Sequence, residues 1–190
     1  MVPRSRKGQR TVLSIPSNVK KTLTVREIAV FSVLGALMFC SKIIMEALPN
    51  IHLLGMLTIV YTIVFRTKAL IPIYIYVAVN GLFSGFSVWW IPYLYIWTLL
   101  WGMTMLLPKR MPRAVAYWAY AALCGFHGFA FGTLYAPAQA IMFRMNFEQT
   151  LAWIAAGIPF DLVHGIANIA VGLLILPLSD LLRKLTKRIA

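Results

Sequence analysis

The stretch LLGMLTIVYTIVF-RTK-ALIPIYIYVAVNGLFSG, residues 53–85, decides the fold. Two apolar runs flank one short basic turn, Arg66-Thr67-Lys68. Neither run carries a charge, and neither shows the alternation of a half-buried strand. A helix that is apolar on every side lies in a large core or in lipid. The rest of the chain selects lipid. Hydrophobic residues make up 61% of the 190 positions and charged residues 12%, against roughly 45–50% and ~25% in soluble domains. A soluble fold of this length could not cover its surface with so few charges. The expected fold class is all-α, a polytopic membrane protein.

A helix needs ~20 mainly apolar residues to cross the hydrocarbon. Six runs are candidates: Ile28–Leu48, Leu53–Phe65, Ala69–Gly85, Ile91–Leu107, Ala114–Leu134 and Pro159–Leu178. The last is started at Pro159 because proline is favoured at the first helical position. Residues Tyr135–Ile158 then form a long outer connection with a short helix that lies at the interface or folds back over the bundle. Residues 1–26 are expected as a basic tail, 27–182 as the membrane domain and 183–190 as a second basic tail. The first twenty residues lack the apolar core of a cleavable signal peptide.

The chain has 18 Lys and Arg against 5 Asp and Glu. The cations gather in the first tail, at 66–68, at 109–113 and in the last tail; Lys42 and Arg144 alone fall elsewhere. Six passes with both termini in the cytoplasm put every basic segment on one side, as the positive-inside rule requires. The excess charge is therefore a topology signal, and no nucleic acid partner is expected. Cys40 and Cys124 both sit in apolar runs and read as two buried thiols, with neither a disulfide framework nor a zinc site around them.

Polar residues in apolar spans are costly and mark candidate sites. Glu46 and Asn50 flank the first outer turn beside His52, and Lys42 is four residues before Glu46, close enough to pair on one helix face. Trp90, Tyr93 and Trp97 recur at helical spacing and read either as an interfacial belt or as a stripe that stacks a flat ligand. Asp161, His164 and Asn168 have offsets of three and four, so they share one helix face. They read either as a helix-end charge with two interhelical bonds, or as a face that hydrogen-bonds a ligand. His127 reads as a helix–helix contact. Ser32, Ala36 and Cys40 form a small-residue row that permits close helix approach, as do Gly81 and Gly85.

No phosphate-binding glycine loop, His-Glu-x-x-His or Gly-x-Ser-x-Gly is present, so the chain carries none of these ATP, metalloprotease or hydrolase signatures. No catalytic residues, cofactor or metal are expected. A binding component fits better than a membrane enzyme using Asp161 and His164 for proton transfer, or a protein that only packs against partners.

From about Thr24 to Leu182 the chain resembles the substrate-binding S component of energy-coupling factor (ECF) vitamin transporters. Leu48-Pro-Asn-Ile-His52, Phe65-Arg-Thr-Lys-Ala-Leu-Ile-Pro72 and Gly157-Ile-Pro-Phe-Asp-Leu-Val-His-Gly-Ile-Ala-Asn168 carry the resemblance. It implies a protein of a prokaryotic plasma membrane that binds a vitamin-like molecule from outside. It also implies partners: a membrane coupling subunit and two cytoplasmic ATPases, whose ATP hydrolysis topples the S component to release its cargo. Cobalamin, queuosine-type bases, folate, thiamine, riboflavin and pantothenate are the family's candidates. The family's docking face is a first-span Ala-xxx-Ala pattern; here Ser32, Ala36 and Cys40 stand in its place. Nickel and cobalt members begin Met-His, whereas this chain begins Met1-Val2, which argues against a metal cargo.

Overall fold

The computed structural model describes residues 23–48 and 50–189. All regular structure in them is helical: α1 (Val25–Ile44), α2 (Leu54–Phe65), α3 (Leu70–Ser84), α4 (Tyr93–Leu106), α5 (Arg113–Phe129), α6 (Phe131–Phe143), α7 (Phe147–Gly172) and α8 (Ile175–Ile189), with short 3-10 turns at Met45–Ala47 and Arg66–Ala69. Four helical stretches are long and apolar enough to cross a membrane: Val25–Ala47, Leu54–Ser84, Arg113–Phe143 and Phe147–Gly172; Tyr93–Leu106 is a shorter apolar helix.

Local chemistry sets the ends. Thr24 starts α1 with a capping box, its hydroxyl accepting from Glu27 N–H at 3.2 Å and its own N–H reaching the Glu27 carboxylate at 3.0 Å. That places the helix start just inside the segment expected as tail. Arg66 turns the chain with φ 54°, and Gly85 ends α3 with φ 86°, a conformation glycine adopts without strain. Gly85 thus serves as a helix stop and not as a packing surface.

The stretch Leu54–Ser84 is folded back on itself. The Tyr61 hydroxyl donates to the Leu34 carbonyl at 3.1 Å, and Phe65 meets Phe31 edge-on at 5.2 Å, so α2 runs antiparallel to α1. Gly35 faces Pro72 and Ile75, and Phe39 meets Phe83 at 5.2 Å, so α3 runs parallel to α1. Every residue of α2 from Leu54 to Ile63 is buried. This helix is the pillar of the bundle, touching α1, α4, α5, α7 and α8. Its 12 residues reach only about 18 Å at 1.5 Å per residue. A helix wrapped by others has no lipid-facing length to satisfy.

The last third departs from the sequence-based expectation. α5 runs into α6 through a bend at Ala130, with Ala130 N–H on the Phe126 carbonyl at 3.0 Å and Leu134 N–H on the Ala130 carbonyl at 2.8 Å. Arg144, in the left-handed conformation, closes α6. Asn146 then opens α7 with a second capping box, exchanging bonds with Gln149 at 2.8 and 2.9 Å. Residues 135–158 are therefore a helical hairpin and not a connecting loop, and Pro159 lies inside α7 and not at its start. α7 returns antiparallel to α5 and α6: Gly132 faces Asp161, Gly128 faces Gly165, Gly125 faces Ile169, and Gly172 faces Ala121. The chain breaks at Leu173-Leu174 before α8, so Leu178 lies on a separate helix.

The basic connections share one end of the bundle. Trp101 Nε1 donates to the Arg66 carbonyl at 3.0 Å, Arg113 pairs with Asp180 at 2.8 Å, Arg183 donates to the Ile63 carbonyl at 3.3 Å, and Lys68 pairs with Glu27. The opposite end holds the Met45–Ala47 turn, the connection from Gly85 to Pro92 and the α6–α7 hairpin.

Candidate ligand site

Trp97 of α4 is the hub of a ring cluster in the half of the bundle away from the basic end. Its ring centroid lies 6.2 Å from Tyr76, 5.8 Å from Tyr93, 5.7 Å from His127 and 6.1 Å from Phe131. Phe131 in turn lies 4.8 Å from His164, and His164 lies 4.8 Å from His52. The three histidines of the chain thus converge through Phe131, although they are far apart in sequence. Helices α3 to α7 and the segment before α2 each supply a side chain.

The cluster contains buried polar atoms that have no hydrogen-bond partner among the described residues. They are the Tyr76 hydroxyl, both amide atoms of Asn80, Trp97 Nε1 and His127 Nδ1. Asn80 is 0% exposed and lies one helical turn beyond Tyr76 on the same buried face of α3. His127 Nε2 meets the Ile96 carbonyl at 3.4 Å, which makes Nε2 the donor and leaves Nδ1 as an acceptor in the neutral ring. A buried polar group without a partner costs about 1–3 kcal/mol, and such groups are few in native proteins. Such atoms are normally paired with ordered water, a neighbouring group or a bound molecule.

The charged groups lie around this interior, not in it. Both Asp161 oxygens accept from Gly132 N–H, at 3.0 and 3.1 Å. Gly132 is the second residue of α6, so Asp161 caps α6 from across the bundle, where a helix start favours negative charge. Glu46 is exposed and pairs with Lys42 at 3.1 Å, as their spacing predicts. Burial, and then the Lys42 ammonium, push His52 below the usual histidine range. No group of three or more His, Cys, Asp or Glu among the described residues is placed to hold a metal ion.

The remaining sequence-selected residues fall as follows. Trp90 precedes α4 in a turn, and its indole N–H goes to the Val77 carbonyl at 2.8 Å, so it braces α3. Tyr93 opens α4 beside Trp97. Asn50 adopts φ 61° in the turn between α1 and α2. His164 and Asn168 are both buried on one face of α7, as their spacing predicts. Asn168 sits between Gly55 and Gly128, donates to the Cys124 carbonyl at 3.3 Å and leaves its Oδ1 unpartnered among the described residues. Ser32, Ala36 and Cys40 line an exposed face of α1. Cys40 is therefore not a buried thiol, whereas Cys124 is.

Sequence reasoning passed over Tyr76, Asn80 and Phe131 and read His127 as a packing contact. Asn80 alone left a signal, as an amide in the middle of an apolar span. The connection before α4 is pinned over the cluster: the Tyr135 hydroxyl donates to the Trp89 carbonyl, and the Tyr135 ring stacks on Trp153 at 6.1 Å. Compared with known proteins, the chain matches no family model, no curated protein and no solved structure.

Proposed function

We propose that the chain is the substrate-binding subunit of an ECF-type importer in a prokaryotic plasma membrane. In this reading it crosses the bilayer six times: α1, α2, α3, α4, the joined α5 and α6, and finally α7 with α8. Both termini and the basic end are cytoplasmic. The ring cluster lies toward the outer face, beneath the Gly85–Pro92 connection, and captures a vitamin-like micronutrient, which a coupling subunit and two ATPases help deliver inward.

One observation carries this reading: unpartnered polar atoms on the touching rings of Tyr76, Trp97 and His127, with those of Asn80 one helical turn beyond Tyr76 on the same buried face of α3. Pockets that bind small organic molecules are mostly apolar with a few placed polar groups. These walls offer donors and acceptors but no free charge, so the buried part of the ligand is an uncharged, planar, hydrogen-bonding ring. Arginine and lysine collected at the opposite end support the orientation. The exposed row Ser32, Ala36 and Cys40 on α1 supports a docking face for the coupling subunit.

Native mass spectrometry of protein purified from cells grown in rich medium tests the proposal. We expect a retained small molecule on the wild type. Asn80→Leu should weaken its retention about tenfold, the value of roughly one hydrogen bond, while leaving the unfolding temperature of the empty protein unchanged or higher. Equal retention by wild type and Asn80→Leu, or no retained molecule under any growth condition, would overturn the reading.

A further inference from the structure

At the basic end, α2, α5 and α8 line an open cleft of about 200 Å³. Its walls carry Lys109, Arg113 and Arg183, with Tyr120 and the single carboxylate of Asp180. Asp180 is committed to Arg113 at 2.8 Å, so three cations face one anion. Ile63, Ala116 and Leu176 are among its apolar lining residues. Arg183 also borders a second, open groove lined by Val64, Phe65, Thr186 and Lys187. On α8 the flanking surface presents exposed Leu181 and Leu185 beside Lys184. Leucines and lysines side by side on an exposed helix face belong at a headgroup boundary.

We infer that this cleft binds the phosphate of an anionic glycerophospholipid, with Lys109 and Arg183 on the phosphate oxygens and the glycerol ester passing along the groove beside Val64 and Phe65. The chemistry is a cationic pocket between helices with an apolar exit, which suits an anionic headgroup with attached chains and not a free ion. Asp180 tunes the site by neutralising Arg113. The inference needs only that this end meets the membrane surface; it does not depend on the ligand proposed for the ring cluster.

The test is native mass spectrometry of delipidated full-length protein in detergent. Dioleoyl phosphatidylglycerol, dioleoyl phosphatidylcholine and inorganic phosphate are added separately. We expect phosphatidylglycerol adducts in preference to phosphatidylcholine adducts. Lys109→Gln and Arg183→Gln should each reduce that preference about fivefold, the worth of one basic residue near an anionic surface. Asp180→Asn should increase it, which keeps the test informative if a cation variant folds poorly. Arg110→Gln, outside the cleft walls, should leave it unchanged. Equal adducts with both lipids, an equal loss in Arg110→Gln, a decrease in Asp180→Asn, or binding of inorganic phosphate with no lipid preference would each overturn the inference.

Discussion

Gly132 is a glycine because Asp161 occupies the space a side chain would need: an added Cβ would lie 2.5 Å from Asp161 Oδ2. We expect Gly132→Ala to displace the carboxylate and lower stability by about 1–2 kcal/mol, the usual value of a lost helix cap. Gly157, on the same helix as Asp161, has nothing within 4 Å of its added Cβ. Gly157→Ala should therefore stabilise by up to about 1 kcal/mol through helix propensity. Thermal unfolding of the two variants checks the contrast; equal effects would contradict the cap. His52 adds a pH dependence. Burial lowers its folded pKa below 6.5, so as pH falls through that value the unfolded chain takes up the proton first and stability is lost. Acidification from pH 7.5 to 5.5 should destabilise wild type more than His52→Gln, and parallel losses would refute this. Sequence spacing located the shared face of Asp161, His164 and Asn168. What each residue faces was not legible, because the partner of Asp161 is a backbone N–H exposed by the bend at Ala130.

At the scale of elements, the closest packing in the molecule joins α5 to α7. An added Cβ on Gly128 would lie 2.8 Å from Gly165 Cα and 2.9 Å from the His164 carbonyl oxygen, both backbone atoms that cannot rotate aside. Small residues at such crossings let membrane helices approach through their backbones. Gly128→Leu should destabilise by about 3 kcal/mol or more and open the cluster at His127 and His164. Gly102 on α4 has no neighbour within 4 Å of its added Cβ, so Gly102→Leu should be tolerated. Similar unfolding temperatures for the two variants would contradict this packing. The apolar runs that became α2, α3 and α4 were legible to within two residues because charges and a glycine bound them. The α6–α7 hairpin was not. Pro159 suits a helix start by sequence, yet membrane helices tolerate interior proline when neighbours satisfy the freed carbonyl. The better signal was Asn146 followed three residues later by Gln149, a capping box ahead of an apolar run.

The whole molecule has two unlike ends joined by a buried pillar. One end concentrates cations, and the other holds the rings and, among the described residues, several of the unpartnered neutral polar atoms. Composition and charge distribution carried the membrane class and the placement of the basic segments. The ring cluster is a property of the assembled bundle, because Tyr76, Trp97, His127, Phe131 and His164 come from five helices, and only His127 and Phe131, four residues apart, are linked by local spacing. The outward row on α1 gives a prediction at this scale. Under the proposed function, Ala36→Leu should reduce co-purification with the proposed coupling subunit by tenfold or more, as expected where bulk on a close-packed face costs about 1.4 kcal/mol or more. Retention of the small molecule should be unaffected; unchanged co-purification would remove α1 as the docking face.

The most direct measurement is an experimental structure of the protein isolated from rich medium, at a resolution that shows small-molecule density. The account predicts a planar group bounded by Trp97, Asn80 and His127, accepting from Trp97 Nε1 and paired with the Asn80 amide. A fully folded protein in which those atoms are satisfied by ordered water or by neighbouring side chains would contradict it.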